Sequence, residues 1–112
     1  MGSRGFADLG AVAAYIRSLP PETTVVSGGA LGVDSVAEKE AERRGLRTEI
    51  YRVDPEGVSS RGEFAQRAHA RNQLIVDASD MLVAFWDGHS RGTLDSIKRA
   101  QRAGKRIEVR EA

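Results

Sequence analysis

Apolar positions along the chain switch repeatedly between helical spacing and short continuous runs. Leu9, Val12, Ala13, Ile16 and Leu19 recur at the period of one helix face, and Pro20-Pro21 ends that helix. Thr23 to Ser27 is short and β-branched and runs directly into Gly28-Gly29-Ala30-Leu31-Gly32, a strand feeding a glycine loop. Ser35 and Glu38 stand at capping-box spacing for a helix that runs to about Arg44 and stops at Gly45. Thr48 to Val53 reads as a strand. Asp54 to Gly62, with Pro55, Gly57, Ser59 and Ser60, reads as a long loop, a class that is often functional. The pattern is helical again from Glu63 to Asp77. Met81 to Trp86 is uninterruptedly apolar, as expected of a strand buried on both faces. A second glycine loop, Asp87 to Gly92, leads into a helix from Thr93 to Ala103 that ends at Gly104, and Arg106 to Val109 forms a last strand.

Strands alternating with helices predict a parallel sheet with right-handed crossovers. The fold expected over residues 1–112 is one small Rossmann-like α/β domain, with about four strands and helices on both faces. Met1 to Gly5 reads as the loop that normally follows a first strand, and no strand stands ahead of it.

Composition narrows the function classes. The 112 residues carry 17 basic and 16 acidic groups, a balance unlike the strongly basic footprint of a duplex-DNA binder. Fourteen of those 17 cations are arginine, which suits bidentate phosphate recognition, although base composition of the gene explains arginine richness equally well. There is no cysteine, hence no disulfide framework or thiolate metal site, and this fits a reducing cytoplasm. No apolar run reaches the roughly 20 residues of a membrane span, so no membrane partner is expected. His69 and His89 stand alone, without metal spacing, and no cofactor is implied. A core of this size stabilises a fold only marginally, which makes a homo-oligomer a reasonable expectation.

Two strand–glycine–helix junctions fall at the carboxyl ends of parallel strands, the edge where open α/β sheets bind ligands. At Ser27, Gly28, Gly29, Gly32 and Asp34 the backbone can approach a ligand closely, and the next helix offers unpaired N–H groups to an anion. Gly88, Ser90, Gly92 and Thr93 repeat the arrangement and add hydroxyl donors. Each loop alone is equally well a tight turn, with Thr93 a plain N-cap. Together they point to a phosphorylated ligand. Glu63, Arg67 and Arg71 fall on one helical face, where the plain reading is an ion-pair stripe. Phe85 and Trp86 end the buried strand, and Trp86 can either stack on a base or pack.

The combination Val26-Ser27-Gly28-Gly29-Ala30-x-Gly32-x-Asp34, then Ala70-Arg71-Asn72, then Ala84-Phe85 leading to Gly92-Thr93, resembles the SLOG superfamily. That superfamily takes its name from the DNA-processing A proteins and the Lonely Guy phosphoribohydrolases, and the likeness is greatest to its small members sometimes called YspA-like. The resemblance runs from Gly2 to Val109 and implies a Rossmann-like fold that binds nucleotides or nucleotide-derived ligands. It adds Ser3 and Arg4 as first-loop ligand contacts, and gives Arg71 and Asn72 the place of a ligand-binding pair. In the related fold the first strand lies between the Val25–Val26 strand and the Met81–Trp86 strand. The expectation is therefore direct pairing of those two strands in a narrowed sheet, or completion by a neighbouring subunit.

The phosphoribohydrolase branch carries Gly-Gly-x-Gly-Thr-x-x-Glu, whose glutamate acts in N-glycosidic cleavage. Here Ser96 holds that place, and Asp95 is the nearest carboxylate, one position early and one methylene shorter. A misplacement of about 1 Å can cost around a hundredfold in rate, so Asp95 is a poor stand-in. The leading reading is a cytoplasmic domain that senses or sequesters a phosphorylated nucleotide-like small molecule. The alternatives are a nucleoside-monophosphate phosphoribohydrolase using Asp95, and single-stranded DNA binding, for which six aromatic residues and a net charge of +1 are thin support.

Overall fold

The computed structural model describes residues 1–111. Its elements run α1 (Leu9–Arg17), β1 (Thr24–Ser27), α2 (Val33–Arg43), β2 (Arg47–Ile50), α3 (Arg61–Asp77), β3 (Met81–Trp86), α4 (Arg91–Arg102) and β4 (Arg106–Glu111). No helix among the described residues is long and apolar enough to cross a membrane.

Local chemistry explains most boundaries. Asp8 caps α1 by accepting the Ala11 N–H at 3.0 Å. Ser60 caps α3, and Glu63 reaches back to the N–H and hydroxyl of Ser59. Gly45 and Gly104 follow α2 and α4 with φ of +71° and +69°, the left-handed conformation that closes a helix without side-chain strain. The capping box expected at Ser35 and Glu38 does not form. The α2 helix begins earlier, at Val33; Ser35 donates to the Ala30 carbonyl, and Glu38 accepts instead from the Ser27 hydroxyl. The second strand is also shorter than Thr48 to Val53, ending at Ile50.

The helices cover both sides of the strands. On one side α1 and α2 bury Val12, Ile16, Val33, Ala37 and Ala41 with Phe6 and Phe85. On the other, α3 and α4 bury Val76, Ile97 and Ala100 with Leu82 and Ala84. Successive residues of β3 thus serve opposite cores, as the period of two requires. Phe85 meets Phe6 and Tyr15 edge-on, with ring centroids 5.4 and 6.0 Å away.

The strands are all parallel, but they form two ladders, β1 with β2 and β3 with β4. The expected direct pairing of β1 with β3 is not found. Residues 1–3 run beside the end of β3 instead: Met1 O accepts the Phe85 N–H and Phe85 O accepts the Ser3 N–H, both at 3.0 Å. Gly2 is required there, because a Cβ would overlap the Val33 side chain where α2 packs against this segment.

Phe85 joins one core to the strand that separates the two. Phe85→Ala is expected to lower stability by about 3–5 kcal/mol in urea denaturation, whereas exposed Leu74→Ala should stay within about 0.5 kcal/mol.

Candidate functional site

The loop after β1 supplies its own anion. Asp34, in the first turn of α2, is buried, and its Oδ2 accepts the N–H groups of Gly28 and Ala30 at 3.2 Å each. Its Oδ1 has no hydrogen-bond partner among the described residues and lies 3.7 Å from the Met1 ammonium. Ser27 is buried and bonded to Glu38, while Arg52 donates to the Gly29 carbonyl at 3.0 Å. Gly32, with φ of +87°, stands at the N-cap with no side chain to cap the helix. A loop whose N–H groups already face a carboxylate is a rigid turn before it is a phosphate cradle.

The loop after β3 is different. Asp87 Oδ1 accepts the N–H groups of His89 and Ser90 at 2.8 Å, and these bonds hold its carboxyl below the usual carboxylate range. The Asp87 N–H donates to the Ser3 hydroxyl, which lies 3.5 Å from the Thr93 hydroxyl; both Ser3 and Thr93 are buried. Ser90, the N-cap of α4, accepts the Thr93 N–H at 3.4 Å, and its carbonyl accepts the Trp86 indole N–H at 3.0 Å. The Arg91 and Gly92 N–H groups at the positive end of α4 have no acceptor among the described residues. Both residues are exposed, as are Gly88, His89 and Arg4.

One dipeptide of α3 ties the two loops together. Arg71 Nη1 donates to Gly28 O at 2.7 Å and to Tyr51 O at 3.2 Å, and its Nε donates to Asn72 Oδ1 at 3.1 Å. Asn72 Nδ2 in turn reaches Gly92 O at 3.4 Å and Asp95 Oδ2 at 3.2 Å. Gly28 is needed for this contact, since a Cβ there would lie 2.7 Å from Arg71 Cζ. Arg71 Nη2 makes no hydrogen bond among the described residues. Burial pushes the Arg71 guanidinium down from its ordinary value and the Asp34 charge opposes that, yet arginine stays charged at neutral pH.

Asp95 lies at the far end of this chain of bonds. It pairs with Arg99 at 2.8 Å, and Arg99 also donates to the Gln73 side chain at 3.0 Å. Burial works to raise the Asp95 carboxyl, but hydrogen bonds from Arg99 and Asn72 hold it below the usual range. It is therefore an ionised acceptor at neutral pH and not a proton donor.

Of the residues singled out from the sequence, Gly28, Arg71, Asn72, Gly92 and Asp95 form one bonded series, and Ser3, Ser90 and Thr93 a second. Arg67 is not a partner in a simple ion-pair stripe. Besides Glu63 at 3.5 Å, it donates to the carbonyls of Asp54 and Glu56 and pins the long loop. Sequence reading passed over Asp87, Arg52 and Arg99. Asp87 was findable, because Asp two residues before a loop N–H is a common turn acceptor.

No family model matches the chain. The gene 61 protein of Mycobacterium phage D29 is 33% identical over 97 residues, covering 84% of this chain and 76% of that protein. Among solved structures, DNA processing protein A (DprA) from Streptococcus pneumoniae matches 97% of this chain with a TM-score of 0.80 at 21% identity, and the chain spans 48% of that protein's length. The DprA likeness establishes the Rossmann-like α/β fold. By its identity and coverage, the chain belongs to the family of the mycobacteriophage D29 gene 61 protein.

Proposed function

We propose that this protein binds a phosphorylated nucleotide or nucleotide-derived small molecule at the loop after β3, in a cytoplasmic sensing or sequestering role. The observation that carries the reading is the Arg71–Asn72 bridge, which joins Gly28 of one glycine loop to Gly92 of the other. A cation is thereby anchored on the ligand edge of the sheet with Nη2 still free. The N–H groups of Arg91 and Gly92 add donors, and Ser90 adds a hydroxyl. Asp34 serves the first loop from within, so that loop seats Arg71 while the second takes the phosphate. The SLOG resemblance, with its small YspA-like members, supports a nucleotide-like ligand and gives Arg71 and Asn72 the place of a ligand-binding pair. A homo-oligomer fits the same reading, since Phe64 and Leu74 leave apolar surface exposed on α3.

Hydrolysis gains no support from Asp95, whose carboxylate is engaged by Arg99 and Asn72. Incubation with adenosine monophosphate is expected to release no base on chromatographic analysis. Release that Asp95→Asn abolishes would replace binding by catalysis.

For binding, nucleoside mono- or diphosphates at about 100 times Kd should stabilise by about 2.7 kcal/mol, a rise in Tm on the order of 10 °C. Nucleosides should give no shift, and Arg71→Ala should remove it. A response to short single-stranded oligonucleotides alone would move the reading to nucleic acid.

The α4 donors allow a finer test. Arg91 stands at the first helical position after Ser90, which is extended with ψ of 121°, so proline fits there. Arg91→Ala keeps the N–H and Arg91→Pro removes it. Proline should bind phosphate ligands about tenfold more weakly than alanine, the worth of one hydrogen bond to a charged group.

A further inference from the structure

β4 has β3 on one side and, among the described residues, no strand on the other. Backbone bonds of a strand alternate between its two sides. Phe85 bonds to Met1 and Ser3, so Leu82, Ala84 and Trp86 turn their backbone groups toward β4. A residue in a parallel ladder bridges the two neighbours of its register partner, so Ala84, in register with Val109, takes Glu108 and Arg110. The N–H and C=O groups of Ile107, Val109 and Glu111 therefore point outward, and none has a backbone partner among the described residues. Val109, 43% exposed, is the apolar centre of this edge, with Glu108 and Arg110 beside it.

The edge is also self-complementary in charge. Under a two-fold axis the two strands run antiparallel, and where one residue faces a second, the second faces the first. With the axis at Val109, Glu108 stands opposite the partner's Arg110, and Arg110 opposite the partner's Glu108. An axis at Glu108 sets two carboxylates face to face and Arg106 against the partner's Arg110, and an axis at Arg110 sets two guanidiniums face to face. Like charges directly opposite are destabilising. An axis at Ile107 matches Arg106 with Glu108, but only residues 106–108 then meet strand, because β4 begins at Arg106. The Val109 register alone combines opposite charges with pairing along residues 107–111.

We propose that two copies of this chain pair through β4, antiparallel about a two-fold axis at Val109, so that their β3–β4 ladders join into one sheet. Val109 exchanges backbone bonds with the partner's Val109, and Ile107 with the partner's Glu111. Tyr15 of α1 holds Arg110 at this edge, with the guanidinium 4.8 Å from the ring centroid. Glu108 lies 3.6 Å from Arg110 of its own chain, so the charges that meet the partner are already aligned along the strand. The pairing also covers an edge that would otherwise template aggregation. It uses no residue of the loops after β1 and β3 and does not rest on the ligand proposed above.

The test is sedimentation of the 112-residue chain and of Glu108→Arg, Arg110→Glu and Val109→Pro variants. The parent should be dimeric at about 100 μM. Each charge reversal sets like charges opposite each other at the axis and should weaken the dimer at least about tenfold. An equimolar mixture of Glu108→Arg with Arg110→Glu should restore it, because both facing pairs are then of opposite sign. That restoration also shows that the two variants fold. Val109→Pro removes an outward N–H and spares the bonds to β3, so it should give a folded monomer. The mixture decides the matter even where the proline variant does not fold. A parent that stays monomeric overturns the proposal, and so does a dimer that both reversals leave intact. A mixture that stays monomeric overturns it as well. Loss of the dimer on Leu74→Lys, with the reversals silent, moves the contact to the exposed face of α3 and has the same consequence.

Discussion

An interior strand of a parallel sheet has backbone donors and acceptors on both edges, and each needs a partner. In this protein β1 and β3 meet that demand on their outer edges, through β2 and β4. On the inner side, among the described residues, only Phe85 is fully paired, by Met1 and Ser3. The rest of the union between the halves rests on side chains. Phe85 packs against Phe6 and Tyr15, and Val33 of α2 closes on Gly2. Arg71 and Asn72 stitch the loops at the carboxyl ends of β1 and β3. The geometry of these two loops therefore depends on α3 as much as on the strands beneath them.

The two glycine loops look alike as sequence and differ as chemistry. The first turns the Gly28 and Ala30 N–H groups onto Asp34, an internal carboxylate. The second uses Asp87 to order its turn and leaves the first N–H groups of α4 facing outward. Burial sorts the candidate residues in the same way. Ser3, Ser27, Asp34, Asn72 and Thr93 are inside and hold the frame, whereas Gly88, Gly92 and Arg91 are exposed. The candidate site thus has buried residues beneath and exposed ones at its rim.

Several features were legible because their cause is local. Helical spacing from Leu9 with Pro20-Pro21 beyond it, the apolar run Met81 to Trp86, and Gly45 and Gly104 as helix stops all follow from short-range sterics and solvation. Other signals were present but were outweighed. Ser35 and Glu38 have capping-box spacing, yet Glu38 bonds the buried Ser27 hydroxyl from a neighbouring strand. The Glu63, Arg67 and Arg71 face predicts pairing along α3, but two loop carbonyls accept from Arg67, and Gly28 and Tyr51 accept from Arg71.

The sequence by itself determined the order of helices and strands, the parallel α/β class, and the two glycine loops at the carboxyl ends of β1 and β3. Periodicity, β-branching and glycine punctuation act within about ten residues, so each element carries its own signal. Only the tertiary structure decided which donors are spent and which remain. Whether Asp34 fills its own loop, whether Asp95 is held by Arg99, and whether β1 meets β3 depend on groups brought together from distant parts of the chain. A carboxylate or a strand edge looks the same in sequence whether its partner is present or absent, because hydrogen-bond satisfaction is a property of the packed molecule.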